Sequence, residues 1–297
     1  MKVFLTGATG YIGSAVAEVL QAAGHSVAGL ARSIESDEML RARGITPYRA
    51  DFTNPESLAE PVQTCDAVVS TATTNNGRLD TDGIARMLNE LNGTGKPFIY
   101  TSGVWVLGDT RGEVADEAAP LNPAALVAWR ADAEKLVLSA AAAGVRAIVI
   151  RPAVVYGRGA GIPAGFIQSA QESGAARYVG NGENHWPTVH VEDLATLYLH
   201  ALEKAPARSI YNAAENDAYR VREIAEAASF GADAGGRTES WPLEEARKTL
   251  GPYADALVLD QQISSHKAKR ELGWTPQAVS ILEELRYGSY ALPRVSP

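Results

Sequence analysis

The chain has 297 residues, of which 46% are hydrophobic, enough to form a large α/β core with a smaller second lobe. It carries 27 Lys and Arg against 35 Asp and Glu, a net charge of -8 without any basic run, which argues against nucleic acid or an anionic membrane as a partner. Cys65 is the single cysteine, so intrachain disulfides and multi-cysteine metal sites are excluded. No apolar run predicts a signal peptide or a membrane span, and we expect a cytoplasmic protein without a metal centre.

The first half of the chain alternates short apolar runs with longer helical patterns, which is typical of βαβ units and a parallel sheet. Gly24 and Gly44 follow the first two helical patterns and are expected to end them. The predicted strands lie at residues 2–6, 27–30, 45–50, 67–70 and 98–101, and the predicted helices at 15–23, 38–43, 57–62 and 84–91.

The second half begins with an alanine-rich stretch, residues 124–143, which predicts the longest helix, followed by a β-branched strand at 145–150. Glycine and proline then become dense, and a helix at 194–202 and a strand at 209–212 are expected to return to the large sheet. The pattern predicts an α/β fold: a Rossmann-type doubly wound parallel sheet over residues 1–155, joined again by 188–212. A smaller C-terminal substrate lobe would comprise residues 156–187 and 213–297.

A glycine-rich loop, TGATGYIG, connects the first predicted strand to the first predicted helix. Gly7 permits a sharp turn off the strand, Gly10 lets the backbone approach a diphosphate, and Gly13 allows close packing of helix and strand. The helix then directs unpaired N–H groups and its positive end toward the phosphates. We therefore expect a dinucleotide to be bound by Gly7, Thr9, Gly10, Tyr11, Ile12 and Gly13.

The end of the second strand indicates which dinucleotide binds. Enzymes that select NAD usually have Asp or Glu there, whereas this chain has Arg32 and Ser33. A guanidinium and a hydroxyl suit a 2′-phosphate, so the sequence favours NADP(H) over NAD(H), unless Arg32 only begins a solvated loop. Further contacts are expected from the ends of the third and fourth strands, which alternatively form ordinary turns: Asp51, Phe52, Thr71, Ala72 and Thr73.

Two later motifs accompany the loop: Arg-Pro-x-x-x-Tyr-Gly at residues 151–157 and Val-His-Val-Glu-Asp at 189–193. In this order, over about residues 1–212, the chain resembles the extended short-chain dehydrogenase/reductase superfamily, which includes sugar-nucleotide epimerases and dehydratases. The resemblance implies a nicotinamide cofactor, a C-terminal lobe that closes over a small-molecule substrate, and backbone contacts to the nicotinamide carboxamide near Pro152, Val154 and Val155. It also implies a homodimer paired through the fourth and fifth helices.

The chain departs from this family at the residues that usually move protons. Relatives carry a Ser or Thr and a Tyr-x-x-x-Lys pair, in which Lys lowers the pKa of a Tyr acid/base. Here Leu126 stands at the Tyr position and Arg130 at the Lys position, and Gly103 falls where the hydroxyl usually lies. A leucine cannot transfer a proton, so the chain resembles an atypical member that lacks the triad.

Other residues are candidates for the missing chemistry. Arg130 lies on an otherwise apolar helical stripe; we expect it to face cofactor ribose or a substrate oxygen, or alternatively to form a salt bridge with a carboxylate. The proton donor is expected to be a water, Ser102, Tyr156 or His185, although Tyr156 also suits a packed aromatic and His185 a solvated loop. His190 fits a structural role.

The sequence predicts an NADP(H)-dependent oxidoreductase acting on a small carbonyl or related compound without the usual triad. Trp105, Trp129 and Trp186 suggest an apolar or aromatic substrate surface, although tryptophans are also common in cores. One alternative is a non-catalytic redox sensor or regulatory protein that binds a dinucleotide. Another is an epimerase or dehydratase that retains its cofactor.

Overall fold

The computed structural model describes residues 1–215 and 217–291. A central sheet of seven strands has the order β11-β7-β5-β4-β1-β2-β3, and every neighbouring pair in it is parallel. Its strands are β1 (Lys2–Thr6), β2 (Ser26–Ala31), β3 (Thr46–Arg49), β4 (Ala67–Ser70), β5 (Pro97–Thr101), β7 (Arg146–Pro152) and β11 (Ser209–Ala213).

Two helical layers cover this sheet. The helices of the first half are α1 (Tyr11–Ala22), α2 (Ile34–Ala42), α3 (Ala59–Thr64), α4 (Gly77–Leu91) and α5 (Ala128–Ser139). The later helices are α6 (Ala164–Ser173), α7 (Val191–Lys204), α8 (Val221–Gly231), α9 (Leu243–Leu250), α10 (Pro252–Leu257), α11 (His266–Leu272) and α12 (Ile281–Tyr287). One core packs α1 and α7 against the sheet, and a second core packs α4 and α5 against its other face.

The strand order places a crevice at the carboxyl ends of β1 and β4. The chain winds outward in one direction through β1, β2 and β3, and in the other through β4, β5 and β7. In such open sheets, ligands bind where the order reverses, because the connections leave opposite sides of the sheet there. The predicted Rossmann-type fold is confirmed, including the return of residues 209–213 to the sheet beside β7.

The prediction of a longest helix over residues 124–143 is wrong. The α-helix spans only Ala128–Ser139, with 3-10 turns on both sides, and α4 is longer at 15 residues. Ala124 has an extended backbone, and no side chain caps the start of α5, so alanine propensity alone does not extend the helix. Gly144, in the left-handed conformation at φ 78°, ends the segment.

Smaller sheets lie beside the central one. β8 (Val154–Tyr156), β10 (His185–His190) and β12 (Ala218–Arg220) form one, β9 (Ala176–Val179) pairs with β13 (Thr238–Trp241), and β6 (Val114–Ala115) pairs with β14 (Gln262–Ile263). The boundaries of the two predicted lobes stay a prediction, and within 213–297 the residues 216 and 292–297 lie outside the described part. No helix in the described ranges is long and apolar enough to cross a membrane.

Candidate functional site

The loop between β1 and α1 turns back on itself before the helix begins. Gly7 has a positive φ of 79°, and its carbonyl oxygen accepts a 2.8 Å hydrogen bond from the Gly10 amide. The Ser14 amide then donates to the Gly10 carbonyl oxygen at 2.9 Å. The amides of residues 11–13 therefore precede the first intrahelical bond, and they leave the helix end with N–H groups suited to an anion.

The three glycines of this loop have different steric surroundings. A Cβ at Gly7 would lie 2.7 Å from Thr71 Oγ1, and a Cβ at Gly13 would lie 2.6 Å from the Gly7 carbonyl carbon and closer still to its oxygen. A Cβ at Gly10 would meet only the Gly7 carbonyl oxygen, at 3.2 Å. Gly7 and Gly13 are thus required by close packing within the protein, whereas Gly10 leaves its outer side open to a ligand.

Hydrogen bonds fix the opposite wall of the loop, at the end of β4. Thr71 Oγ1 donates to the Thr6 carbonyl oxygen at 2.7 Å. The buried Asp80 carboxylate of α4 accepts from the hydroxyls of Thr73 and Thr74, both at 2.7 Å, and from the Thr74 amide at 2.8 Å. The wall after β4 is therefore held in place by Thr6 and Asp80, which do not line the crevice.

A cleft of about 660 Å³, here called the loop cleft, lies between these walls. Every residue predicted to contact the dinucleotide from the glycine loop and from the ends of β2, β3 and β4 lines this cleft. These residues are Gly7, Thr9, Gly10, Tyr11, Ile12, Gly13, Arg32, Ser33, Asp51, Phe52, Thr71, Ala72 and Thr73. Sequence reasoning missed Leu30, Ser36 and Thr74. Ser36 had a detectable signal, because its three-residue spacing from Ser33 is that of a capping box.

Charges at the outer end of the loop cleft favour an anionic ligand near Arg32. Arg32 is exposed, and Ser33 caps α2 by accepting a hydrogen bond from the Ser36 amide at 3.2 Å. Asp51 accepts from the Thr53 amide and hydroxyl, and these bonds, the amide first, hold the pKa of its carboxyl below the ordinary value, with a smaller contribution from Arg32. The Asp51 carboxylate is therefore a hydrogen-bond acceptor, and Arg32 provides the positive charge at this end of the cleft.

A second cavity, of about 350 Å³, continues from the first at Tyr11 and Ile12, which line both. This strand-end pocket lies at the carboxyl ends of β5 and β7. The predicted residues Ser102, Arg130, Pro152, Val154 and Val155 line it, together with Val104, Trp105, Ala153, Gly161 and Ile162. Gly161 and Ile162 come from the glycine- and proline-dense stretch, to which the sequence analysis assigned no site.

Arg130 reaches this pocket from α5. Its Nη1 donates to the Thr101 carbonyl oxygen at 2.8 Å and to the Tyr100 hydroxyl at 3.3 Å, and its guanidinium lies 4.6 Å from the centre of the Trp129 ring. No carboxylate among residues 1–215 and 217–291 is within ion-pairing distance, so the alternative of a salt bridge is not what holds Arg130. The guanidinium keeps further N–H donors for a ligand.

Ser102 contributes a buried hydroxyl to the same pocket. Its amide donates to the Ile150 carbonyl oxygen at 2.8 Å, which fixes the backbone beside β7. Its Oγ is buried and has no hydrogen-bond partner among the described residues. Because a buried hydroxyl without a partner is unfavourable, this atom is suited to accept or donate a bond to a ligand.

The other two predicted proton donors lie elsewhere. The hydroxyl of the buried Tyr156 contacts the Glu215 carboxylate and the Val279 carbonyl oxygen, and burial followed by the Glu215 charge raises its pKa. His185 Nδ1 lies 2.9 Å from Asp260 on the first residue of β10. Neither side chain lines the strand-end pocket, because Tyr156 turns toward the core of the smaller sheet and His185 toward the 260 loop.

Together the two cavities fit an extended dinucleotide. The loop cleft offers backbone amides, an open Gly10 and a cation at its outer end, and the strand-end pocket offers apolar walls with one unpaired hydroxyl. Such a ligand needs a diphosphate site at the helix end and a flat, mainly apolar site for a ring beyond it.

Comparisons with known proteins agree with this geometry. A Schizosaccharomyces pombe protein described as uncharacterized is 35% identical over 98% of this chain and 100% of its own length. A Stigmatella aurantiaca protein, 4-hydroxy-2-methyl-3-oxo-4-farnesyl-3,4-dihydroquinoline-1-oxide ketoreductase, is 27% identical over 92% of each chain. The fold matches that of a Bacillus anthracis dTDP-glucose 4,6-dehydratase solved with NAD, with a TM-score of 0.81 and 18% identity, over 96% of this chain and 94% of that one.

The family model described as the NAD dependent epimerase/dehydratase family matches residues 3–214, which include the glycine loop and every strand of the central sheet. The chain therefore belongs to the NAD-dependent epimerase/dehydratase family, within the extended short-chain dehydrogenase/reductase superfamily, and has an oxidoreductase-like fold that binds a nicotinamide dinucleotide.

Proposed function

We propose that this protein is an NADP(H)-dependent reductase of a carbonyl compound that works without a Tyr-x-x-x-Lys pair. The observation that carries the proposal is the buried, unpartnered Ser102 Oγ, in the same pocket as Arg130 and directly after the residue whose carbonyl Arg130 binds. Because both side chains line the strand-end pocket, they support it as the site where a substrate oxygen is bound.

The preference for NADP(H) rests on the outer end of the loop cleft. Arg32 is exposed there, and α2 begins directly after Ser33, so a cation and a helix N-terminus both favour a 2′-phosphate. β2 ends at Ala31, and the residues directly after it that line the cleft carry no carboxylate. The nearest lining carboxylate along the chain is that of Asp51, after the end of the neighbouring strand β3.

The reduced dinucleotide, when bound, would supply a hydride to the substrate carbonyl carbon. Arg130 and Ser102 bind the carbonyl oxygen and stabilise the negative charge that develops on it. Arginine does not give up its proton in proteins, so its role is electrostatic. A solvent water hydrogen-bonded to Ser102 donates the proton that completes the alcohol, and hydroxide returns to solvent.

Leu126 supports a mechanism that does not use the family's usual acid. Its side chain is 41% exposed and has no group that can transfer a proton. Tyr156 is occupied by Glu215 and Val279, and His185 by Asp260, which leaves Ser102 and water as donors from the predicted set. The similarity over 92% of the chain to a protein named as a ketoreductase supports carbonyl reduction as the chemistry.

The test measures NADPH oxidation with a panel of aldehydes and ketones, followed by absorbance. We expect turnover with at least one member, and Ser102→Ala should lower kcat about tenfold with little change in the binding of NADPH. Ser139→Ala is the matched control, because Ser139 lies at the end of α5 and, among the described residues, its hydroxyl bonds only the Leu136 carbonyl oxygen. If NADPH and NADP⁺ both raise the Tm but no carbonyl is reduced, the protein is a dinucleotide-binding regulator instead.

A further inference from the structure

A third cavity, of about 350 Å³, lies between α6, the β9-β13 pair and helices α9 and α10. We call it the tail cavity. Its largest walls are aromatic: Phe166, Tyr178, Trp186, Trp241 and Tyr253. Phe166 and Trp186 are buried and stacked, with ring centroids 5.7 Å apart. Leu250 and Leu257 close the side formed by α9 and α10. In a cavity of this size with aromatic and aliphatic walls, a ligand gains the most binding free energy by burying hydrocarbon.

The polar side chains at the rim of the tail cavity are already bonded to protein groups. Gln168 donates to Glu172 at 2.8 Å on α6, and Ser169 Oγ donates to the Phe166 carbonyl oxygen and accepts from the Arg177 amide. Arg177 pairs with Glu239 at 3.1 Å and lies over the Trp241 ring. Arg177 is the one cation among the described residues that line the cavity, so a phosphate group would find no uncompensated positive charge there.

The tail cavity adjoins the strand-end pocket. Ile162 lines both, and Trp105 of the strand-end pocket contacts Tyr253 of the tail cavity edge-on, with ring centroids 6.0 Å apart. A substrate whose oxygen lies between Ser102 and Arg130 would therefore reach the tail cavity with the rest of its skeleton.

We infer that the tail cavity binds an alkyl or aromatic tail of the substrate, so that the carbonyl compound is amphipathic rather than a nucleotide-linked sugar. This inference rests on the proposed function for the position of the carbonyl. The tail-binding part rests on the cavity itself, and it is tested by binding without turnover.

The experiment measures binding of methyl ketones, from butanone to decanone, to the protein saturated with NADP⁺ by calorimetry. Each methylene that enters the cavity should tighten Kd about fourfold until the cavity is filled. Gly165 of α6 lines the cavity, and a Cβ there meets no atom of the described residues within 4 Å, so Gly165→Leu adds a bulky side chain at the cavity wall without a backbone clash. Gly165→Ala is the matched control for the loss of glycine, and NADP⁺ binding verifies that both variants are folded.

We expect Gly165→Leu to weaken decanone binding at least tenfold, and Gly165→Ala to weaken it far less. A Kd independent of chain length, an unchanged Kd in Gly165→Leu, or tighter binding of uridine diphosphate than of decanone would each overturn the inference. Chain-length-dependent binding without NADPH oxidation would instead retain the tail cavity and reject the proposed reductase.

Discussion

The loop cleft and the strand-end pocket adjoin each other at Tyr11 and Ile12, but they are built in opposite ways. The loop cleft uses backbone: a positive φ at Gly7, free amides at the start of α1 and glycines that leave no room for a side chain. The strand-end pocket uses side chains, brought together from the segment after β5, from α5, and from the end of β7 and the residues that follow it.

This difference explains which substitutions each region can accept and still bind its ligand. A backbone site binds a phosphate whatever its neighbours are, provided that a few glycines remain, because the amides belong to every residue. A side-chain site depends on the residue types at scattered positions, such as Ser102 and Arg130, so its chemistry can change while the cofactor site stays intact.

Gly13→Ala should have the largest effect on NADPH binding, because the added methyl group would displace the backbone that forms the loop cleft. The added methyl overlaps the Gly7 carbonyl, and overpacking of this kind costs about 3 kcal/mol, or roughly a hundredfold in NADPH affinity. Calorimetry with NADPH and NADH measures the loss, and thermal unfolding should show a lower Tm. Gly165→Ala, also a helical glycine but with free space, serves as the control. Unchanged affinity in Gly13→Ala would refute the packing argument.

Arg130→Ala tests the side-chain site. We expect kcat for carbonyl reduction to fall about a hundredfold, as when one donor to a developing oxyanion is removed, while NADPH affinity changes much less. Steady-state kinetics and calorimetry separate the two effects. Lys135→Ala, on the exposed face of α5 where Lys135 pairs with Asp132, should leave both unchanged. An Arg130→Ala enzyme with the original kcat would remove this residue from the mechanism.

Arg32→Asp tests the one part of the loop cleft that depends on a side chain. The affinity for NADPH should fall about tenfold, because a charge-assisted bond to the 2′-phosphate is replaced by repulsion, and NADH affinity should stay constant or rise. Arg43→Asp makes the same change of net charge at the far end of α2, outside the cleft. Equal losses for NADPH and NADH in Arg32→Asp would contradict the preference for NADP(H).

A small pH effect is expected from the scaffold shared by both sites. His200 lies on α7, which packs against α1, and burial, followed by the Lys204 charge, lowers its pKa below the ordinary 6.5. Because folded His200 binds a proton less readily than in the unfolded chain, the histidine contributes stability at pH values above its pKa in the unfolded chain. This contribution is lost as the pH falls through its pKa in the folded protein.

The Tm of the wild-type protein should therefore drop between roughly pH 7 and pH 5 by slightly more than that of His200→Gln. His266→Gln, an exposed histidine at the start of α11, should follow the wild type. A steeper decline in His200→Gln than in the wild type would reverse the assigned direction of the pKa shift.

The sequence was most informative where neighbours along the chain make the structure. The glycine loop, the strand ends at Arg32 and Asp51 and the doubly wound parallel sheet follow from local spacing and the rules of βαβ units. The hydrogen-bond partners of the Tyr156 hydroxyl, Glu215 and Val279, could not be predicted, because they are remote in sequence and no spacing links them to Tyr156. The tail cavity likewise joins α6 to helices about 80 residues later, so no local signal marks it beyond Trp186.

A buried ion pair near Arg130 separates the packing of α5 from the residues that line the strand-end pocket. Glu134 of α5 binds Arg151 of β7 through two bonds of 2.9 and 2.6 Å, and both side chains are about 2% exposed. Removing one partner from such a pair is costly, so the pair fixes the helix on the sheet independently of positions 126 and 130. Within α5, Glu134 thereby holds the helix on the sheet while Arg130 lines the strand-end pocket, so a substitution at Arg130 should leave the packing of α5 undisturbed.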